Sequence, residues 1–356
     1  PIHAPNATDI YRPLEKVAGA PTPQPLPRRP APADRFAEVR RIAETMDSYA
    51  VLVWHDGAIV FDYAGPGLTG DIRPDGASMH KSIAALAVGA AIDRGLIAGP
   101  DVAMGTLLPE WAERPEGAIT LANVLGMTTG LTTFSSAGGP LSEATRFLGG
   151  LDPRGLTLSR TLQAPPGSAF AYRNLNSYLL GLAIEAGTGQ RYAAFLSQAL
   201  WQPLGAADAF VWLDRPGGTA RTYTALLARP EDWLRIGLLI KDRGAFLGQR
   251  VISAAWIDAM LTPSPLYANY GYQVWFAEPF LATRYYNPTQ RGLNISASAP
   301  FKAADTVFFD GVGGQRVYIS RAQDSVIVRL GVARPDWDDT ALPNAVADAL
   351  ASQPEG

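Results

Sequence analysis

A chain of 356 residues with 47% hydrophobic and 18% charged residues has ordinary globular composition, enough for one large core or two modest ones, which excludes a disordered protein. A net charge of -3 and a pI near 5.7 give no basic field, so no nucleic-acid partner is expected. There is no cysteine, which excludes disulfides, thiolate metal sites and a cysteine nucleophile; the only histidines are His3, His55 and His80, so a zinc or iron centre has almost no ligands and no metal or cofactor is expected.

No apolar run approaches the roughly 20 residues that span a bilayer, so no integral membrane segment is expected. The chain begins at Pro1 without a methionine, which reads as a removed leader peptide or as a trimmed end. Absence of cysteine fits a periplasmic or secreted enzyme and equally a cytoplasmic one, with a slight preference for export.

Residues 1–33 hold nine of the 29 prolines, a density that keeps a chain extended, as a spacer or as a strap over the surface. From Asp34 the pattern changes. Phe36, Val39, Ile42 and Met46 recur at helical spacing, and Tyr49 to Trp54 and Ala58 to Tyr63 flank the turn His55-Asp56-Gly57, a hairpin signal. The loop after Gly65-Pro66-Gly67 delivers Asp75-Gly76-Ala77-Ser78-Met79-His80-Lys81-Ser82, followed by a small apolar run, Ile83 to Ile92, that reads as a buried helix.

If Ser78 sits in the first turn of that helix, Lys81 at i+3 shares its face and its amine reaches the hydroxyl. A serine with a lysine one turn away is a nucleophile with its own base. The helix N-terminus adds a positive potential and free N–H groups for an oxyanion. Lysine occurs only at Lys16, Lys81, Lys241 and Lys302, so this is the sole Ser-x-x-Lys, and the helix behind it is too apolar for Lys81 to be a casual surface residue.

Between about Met104 and Arg229 strands are hard to find and short helices dominate, as at Ile119 to Leu125, Tyr178 to Glu185 and Tyr192 to Leu200; Thr128 to Gly139 reads as a loop on the rim of the site. Within this stretch, Tyr172-Arg173-Asn174 leads into a helix. A phenol beside an ammonium has its pKa lowered, so Tyr172 near Lys81 is a candidate general base and acid. Pro230 starts a helix to Lys241 and Ser253 caps another. Strands return at Tyr272 to Phe276, Thr306 to Phe309, Arg316 to Ile319 and Ser325 to Leu330, before a closing helix Ala341 to Leu350. The expected organisation is a proline-rich extension (1–33), a discontinuous sheet domain (34–103 with 230–356) and a helical domain (104–229). Asp336, Asp338 and Asp339 read as a solvated turn rather than a calcium site.

Several of these segments resemble, in order and spacing, the landmarks of class C-type β-lactamase-related serine hydrolases: Ser78-Met79-His80-Lys81, Met127-Thr128-Thr129-Gly130-Leu131, Tyr172-Arg173-Asn174, Trp201-Gln202-Pro203-Leu204-Gly205 and Tyr270-Gly271-Tyr272. The match covers roughly residues 34–334. The resemblance implies an α+β fold like that of β-lactamases and penicillin-binding proteins, an antiparallel sheet flanked by helices with an inserted helical domain. It also implies Ser78 as acylated nucleophile, Lys81 as its base and Tyr172 as proton shuttle.

In that family a third motif of Lys or His, then Thr or Ser, then Gly edges the site. The matching segment here is Phe309-Asp310-Gly311-Val312-Gly313-Gly314-Gln315, in which only Gly311 survives. The N–H of Val312 would still pair with that of Ser78 as an oxyanion hole, while an apolar Phe309 would give a substrate carboxylate no attraction and an ionised Asp310 would repel it. This departure resembles the esterase and 6-aminohexanoate-oligomer hydrolase branch, whose helpful asparagine falls on Asn174 or on Asn176; Gly311 and Gln315 complete the candidate substrate-binding set. The implied activity is cleavage of a small-molecule carboxylic ester or amide through an acyl-enzyme. The alternatives are a β-lactamase or D-amino-acid peptidase, or a non-catalytic member of the fold that binds peptidoglycan or a protein partner.

Overall fold

The computed structural model describes residues 10–66, 72–289 and 292–351. The first nine residues of the proline-rich segment, His3 among them, and Gly67 before the loop that leads to Ser78 lie outside the described residues.

Alternation in the first hairpin decides how the chain closes on itself. Along Ser48–His55, Leu52 and Trp54 join one hydrophobic cluster while Val51 and Val53 join another, so the strand is buried on both faces. A strand buried twice needs covers above and below, and neighbours on both edges. Ala58–Ala64 pairs with one edge and Ser325–Gly331, from the far end of the chain, with the other. The antiparallel ladder then runs through Gln315–Ser320 and Val307–Gly311 to the short strand Trp275–Phe276, making six strands from the two ends of the sequence. One face is covered by helices Ala37–Thr45 and Ala341–Ala351, through Val39, Ile42, Leu342 and Val346. The other is covered by Pro230–Lys241 and the helical region beyond it. Each Leu, Ile or Val sealed in this way contributes about 1.5–3 kcal/mol.

The helix His80–Asp93 lies in the middle of that second layer, against Asn174–Thr188. Every residue from His80 to Ala91 is buried, which is why its sequence carries no polar stripe.

Two expectations are corrected. The region 104–229 contains strands, Ala209–Trp212 and Leu226–Leu227, and the first joins Leu14–Val17 of the proline-rich segment in a separate three-stranded antiparallel sheet. These strands are too short for a period-2 signal to register. The strand expected from Tyr272 begins only at Trp275, because Gln273 has φ of 60°, which a strand cannot propagate. Its buried side chain instead accepts from the Ser177 hydroxyl and donates to the Leu125 carbonyl, while its own carbonyl accepts from the Ser82 hydroxyl. Gln273 therefore ties three elements of the helical layer together.

Candidate active site

The turn carrying Ser78 is held from several sides. A single 3₁₀ turn, Ala77–Met79, runs directly into the helix that starts at His80, so Ser78 stands at the electropositive end of that helix. Ala77 has a positive φ of 49°, a left-handed conformation costing an alanine about 1–2 kcal/mol. The strained turn is braced by Asp75, whose carboxylate accepts the Ala77 N–H at 2.7 Å and the Tyr11 hydroxyl at 2.8 Å. Tyr11 belongs to the proline-rich segment, which thus supports the turn carrying Ser78 from outside the sheet.

Lys81 Nζ lies 2.8 Å from Ser78 Oγ and donates to the Tyr223 carbonyl at 2.6 Å. The lysine is 2% exposed. Burial disfavours its charged form and brings its pKa down to about 7, against an upward pull from Asp310. Near neutral pH a large share of Lys81 is therefore a free amine, able to take the serine proton.

Tyr172 lies beside this pair, its ring centroid 5.3 Å from Lys81 Nζ, and it lines the same cavity as Ser78. The expectation of a lowered phenol pKa is corrected: burial, then the negative field of Asp310, pushes it up. The assumed ammonium is itself a weakly charged, buried amine, so Tyr172 is a protonated donor rather than a base. Its N–H donates to Asn287 Oδ1 at 2.7 Å, and its ring packs on Tyr270, Trp275 and Tyr286.

Gly311 closes the opposite wall. A Cβ there would sit 2.4 Å from the Gly76 carbonyl oxygen and 3.3 Å from Ala77 Cβ, so only glycine lets the strand end touch the nucleophile turn. Val312, the next residue, is 41% exposed and lines the same cavity as Ser78.

Asn174 lines this cavity with Ser78 and Tyr172. Asn176 is not brought to it: its side chain is fully buried, accepting from the Thr129 hydroxyl at 2.8 Å and pointing its amide at Met127 and Ala171. Nor is Gln315, whose amide pairs with the backbone N–H and carbonyl of Gly331. Both brace the frame around the site.

Phe309 is fully buried in the core. Asp310 is buried as well, ion-paired with Arg284 and Arg316 and accepting from the Tyr286 hydroxyl at 2.7 Å. Asp339 bridges the same two arginines. Two guanidinium groups and two carboxylates make a neutral cluster, which holds the Asp310 carboxyl below its usual range. The expected repulsion of a substrate carboxylate by a bare Asp310 is thereby overturned, and so is the solvated turn at Asp339, although Asp336 is exposed.

The cavity above Ser78 is about 590 Å³. Its mouth carries Ile10, Leu148, Leu293 and Val312, all substantially exposed apolar residues. Among the described residues, no acidic side chain lines it. The roles of Tyr223, Asn287, Asp75 and Tyr11 are not legible in the sequence: Tyr223 acts through its carbonyl, Asp75 through a bond to the nearby Ala77 N–H, and Asn287 and Tyr11 are brought in from distant segments.

His80 faces away from Ser78, with Nδ1 2.8 Å from the Thr224 carbonyl and Nε2 3.0 Å from the Tyr192 hydroxyl. Burial lowers its pKa to about 4, so the ring is neutral at pH 7. Tyr172→Phe is expected to reduce kcat by about 10²–10⁴-fold, the usual worth of a positioned proton donor, without loss of stability. His80→Ala should lower the unfolding midpoint in urea and leave kcat of the folded fraction within about threefold, since it strands two buried polar groups at about 1–3 kcal/mol each. An inactive but stable His80→Ala would reverse the assignment.

The chain matches the Beta-lactamase family over residues 36–351. It is 28% identical to a 6-aminohexanoate-dimer hydrolase of Paenarthrobacter ureafaciens over 332 residues, 89% of this chain and 79% of that protein. A Bacillus anthracis structure named for 6-aminohexanoate-dimer hydrolysis superposes with a TM-score of 0.77 at 18% identity, covering 97% of this chain and 91% of its own. EstCE1, a hydrolase with promiscuous acyltransferase activity, gives 0.64 at 15% identity, over 90% of this chain and 98% of its own. At these identities the two structures establish the shared fold.

Proposed function

Because the chain belongs to the Beta-lactamase family of serine-type hydrolases, we propose that it cleaves small carboxylic esters and amides of apolar, flexible acyl chains through an acyl-enzyme on Ser78. The observation that carries the reading is the Lys81 amine, its pKa brought to about 7, 2.8 Å from Ser78 Oγ, which lines a largely apolar cavity. Ser78 Oγ adds to the carbonyl carbon as its proton passes to Lys81 Nζ. The oxyanion is met by the backbone N–H groups of Ser78 and Val312 at the positive end of the helix. Collapse expels the alcohol or amine, which takes a proton from Tyr172; the phenol recovers it from Lys81. Water then attacks the acyl-enzyme by the reverse route and releases the acid.

The hydrolase named for 6-aminohexanoate dimer at 28% identity supports linear amides beside esters as substrates. Against β-lactams stands the edge strand: Phe309 is sealed in the core and Asp310 is locked in the neutral cluster, so neither presents a cation to a carboxylate held rigidly on a lactam ring.

The test is pre-steady-state mixing with p-nitrophenyl esters, followed by a linear amide dimer and a chromogenic cephalosporin. A stoichiometric p-nitrophenol burst is expected, with kcat/KM for the ester exceeding that for the cephalosporin by at least about a hundredfold, the scale of one missing charge-assisted contact. Absence of an acyl-enzyme, or preference for the cephalosporin, would sink the reading.

A further inference from the structure

Beside the Ser78 cavity lies a second one of about 210 Å³ that shares two wall residues with it, Leu148 and Asn174. Its other walls include the rings of Phe134 and Phe147, which stack at 4.5 Å, and Arg173. Arg173 is the residue between Tyr172 and Asn174, so the same turn that aims the proton donor also aims this guanidinium.

Arg173 has no acidic partner among the described residues: one N–H donates to the Leu131 carbonyl, and partial burial, with no opposing charge, disfavours its cation. The neighbouring charges do not compensate it. Arg160, over the Phe134 ring at 5.3 Å, is already neutralised by Glu143 through two hydrogen bonds. A partly desolvated guanidinium with spare donors in the wall of a largely apolar slot matches a planar anion, and its fork suits a carboxylate best. The 15-residue helix opening at Asn174 adds its positive end to the same place.

We infer that this slot is a subsite for a terminal carboxylate, and that the enzyme prefers ester or amide chains ending in one, held by Arg173 while the scissile carbonyl lies at Ser78. This rests on the acyl-enzyme reading above and gives it a substrate class, ω-carboxylated linear chains.

The experiment compares matched pairs in wild-type enzyme: p-nitrophenyl hydrogen adipate with p-nitrophenyl methyl adipate for the acyl side, and an N-acyl ω-amino acid with its methyl ester for the leaving side. In at least one pair the free acid is expected to have the higher kcat/KM, by about ten- to a hundredfold for a charge-assisted contact, with the gain falling as salt rises. In Arg173→Gln that ratio should collapse to about one, and in Arg173→Lys it should be partly restored. Equal or lower rates for the acids in both pairs overturn the subsite in wild-type enzyme alone, whatever the variants do. A ratio untouched by Arg173→Gln overturns it as well. If even the neutral ester gives no acyl burst, it is the nucleophile assignment that fails, and the two failures are told apart.

Discussion

Ser78→Ala is expected to lower kcat for a p-nitrophenyl ester by about 10⁴-fold or more, the scale on which other serine hydrolases respond to loss of the nucleophile. The size follows from the site. The other groups of the proposed mechanism act on the tetrahedral species that the hydroxyl creates: the helix end, the backbone donors at Ser78 and Val312, the Tyr172 phenol. Removing one oxygen from a half-buried position at the start of a helix leaves no buried carbonyl unpaired, because Lys81 keeps its bond to the Tyr223 carbonyl. The urea midpoint should therefore stay close to that of the wild type. Labelling by a fluorophosphonate, read by intact mass, should fall to background in the same variant. A purified Ser78→Ala protein that retains a tenth of the activity would place the nucleophile elsewhere.

What was legible in the sequence was what depends on local spacing. The Ser78 and Lys81 pair is one helical turn, the first hairpin is two alternating runs around Asp56-Gly57, and the helices at Pro230 and Ser253 announce themselves by their first residues. What was not legible depends on partners far along the chain. Asp310 reads as a bare carboxylate at the site edge because Arg284, Arg316 and Asp339 are met only when four segments fold together. Asn176 and Asn174 sit two positions apart on one helix, yet one faces the cavity and the other the Thr129 hydroxyl, a distinction set by how the helix rotates against its neighbours. The proline-rich segment reads as a spacer by composition, while Tyr11 within it braces the nucleophile turn through Asp75.

Lys81→Met separates the two halves of the mechanism, activity and stability, because they move in opposite directions. Without the amine, no described residue bonded to Ser78 Oγ is left to accept its proton at neutral pH, and Tyr172 nearby is held protonated; kcat should fall by about 10³-fold or more. In the wild type, kcat/KM for a neutral ester should rise about tenfold per unit below an apparent pKa of about 7 and level off above it, because only the free amine is competent. Stability runs the other way. A lysine whose pKa is 10.5 in the unfolded chain and about 7 in the fold is fully charged in one state and about half neutral in the other at pH 7, so the unfolded state binds more protons and is favoured by up to roughly 4 kcal/mol. That cost disappears as pH rises through the unfolded value, where both states are neutral. Methionine of similar length carries no such cost; it leaves the buried Tyr223 carbonyl without its donor, at about 2 kcal/mol. Urea unfolding at pH 7 should therefore show Lys81→Met more stable than the wild type by about 2 kcal/mol after that offset, with the advantage shrinking steadily toward pH 10. A variant less stable at pH 7, or an activity profile flat from pH 5 to 8, would mean that Lys81 remains an ammonium in the fold and that the serine proton goes elsewhere.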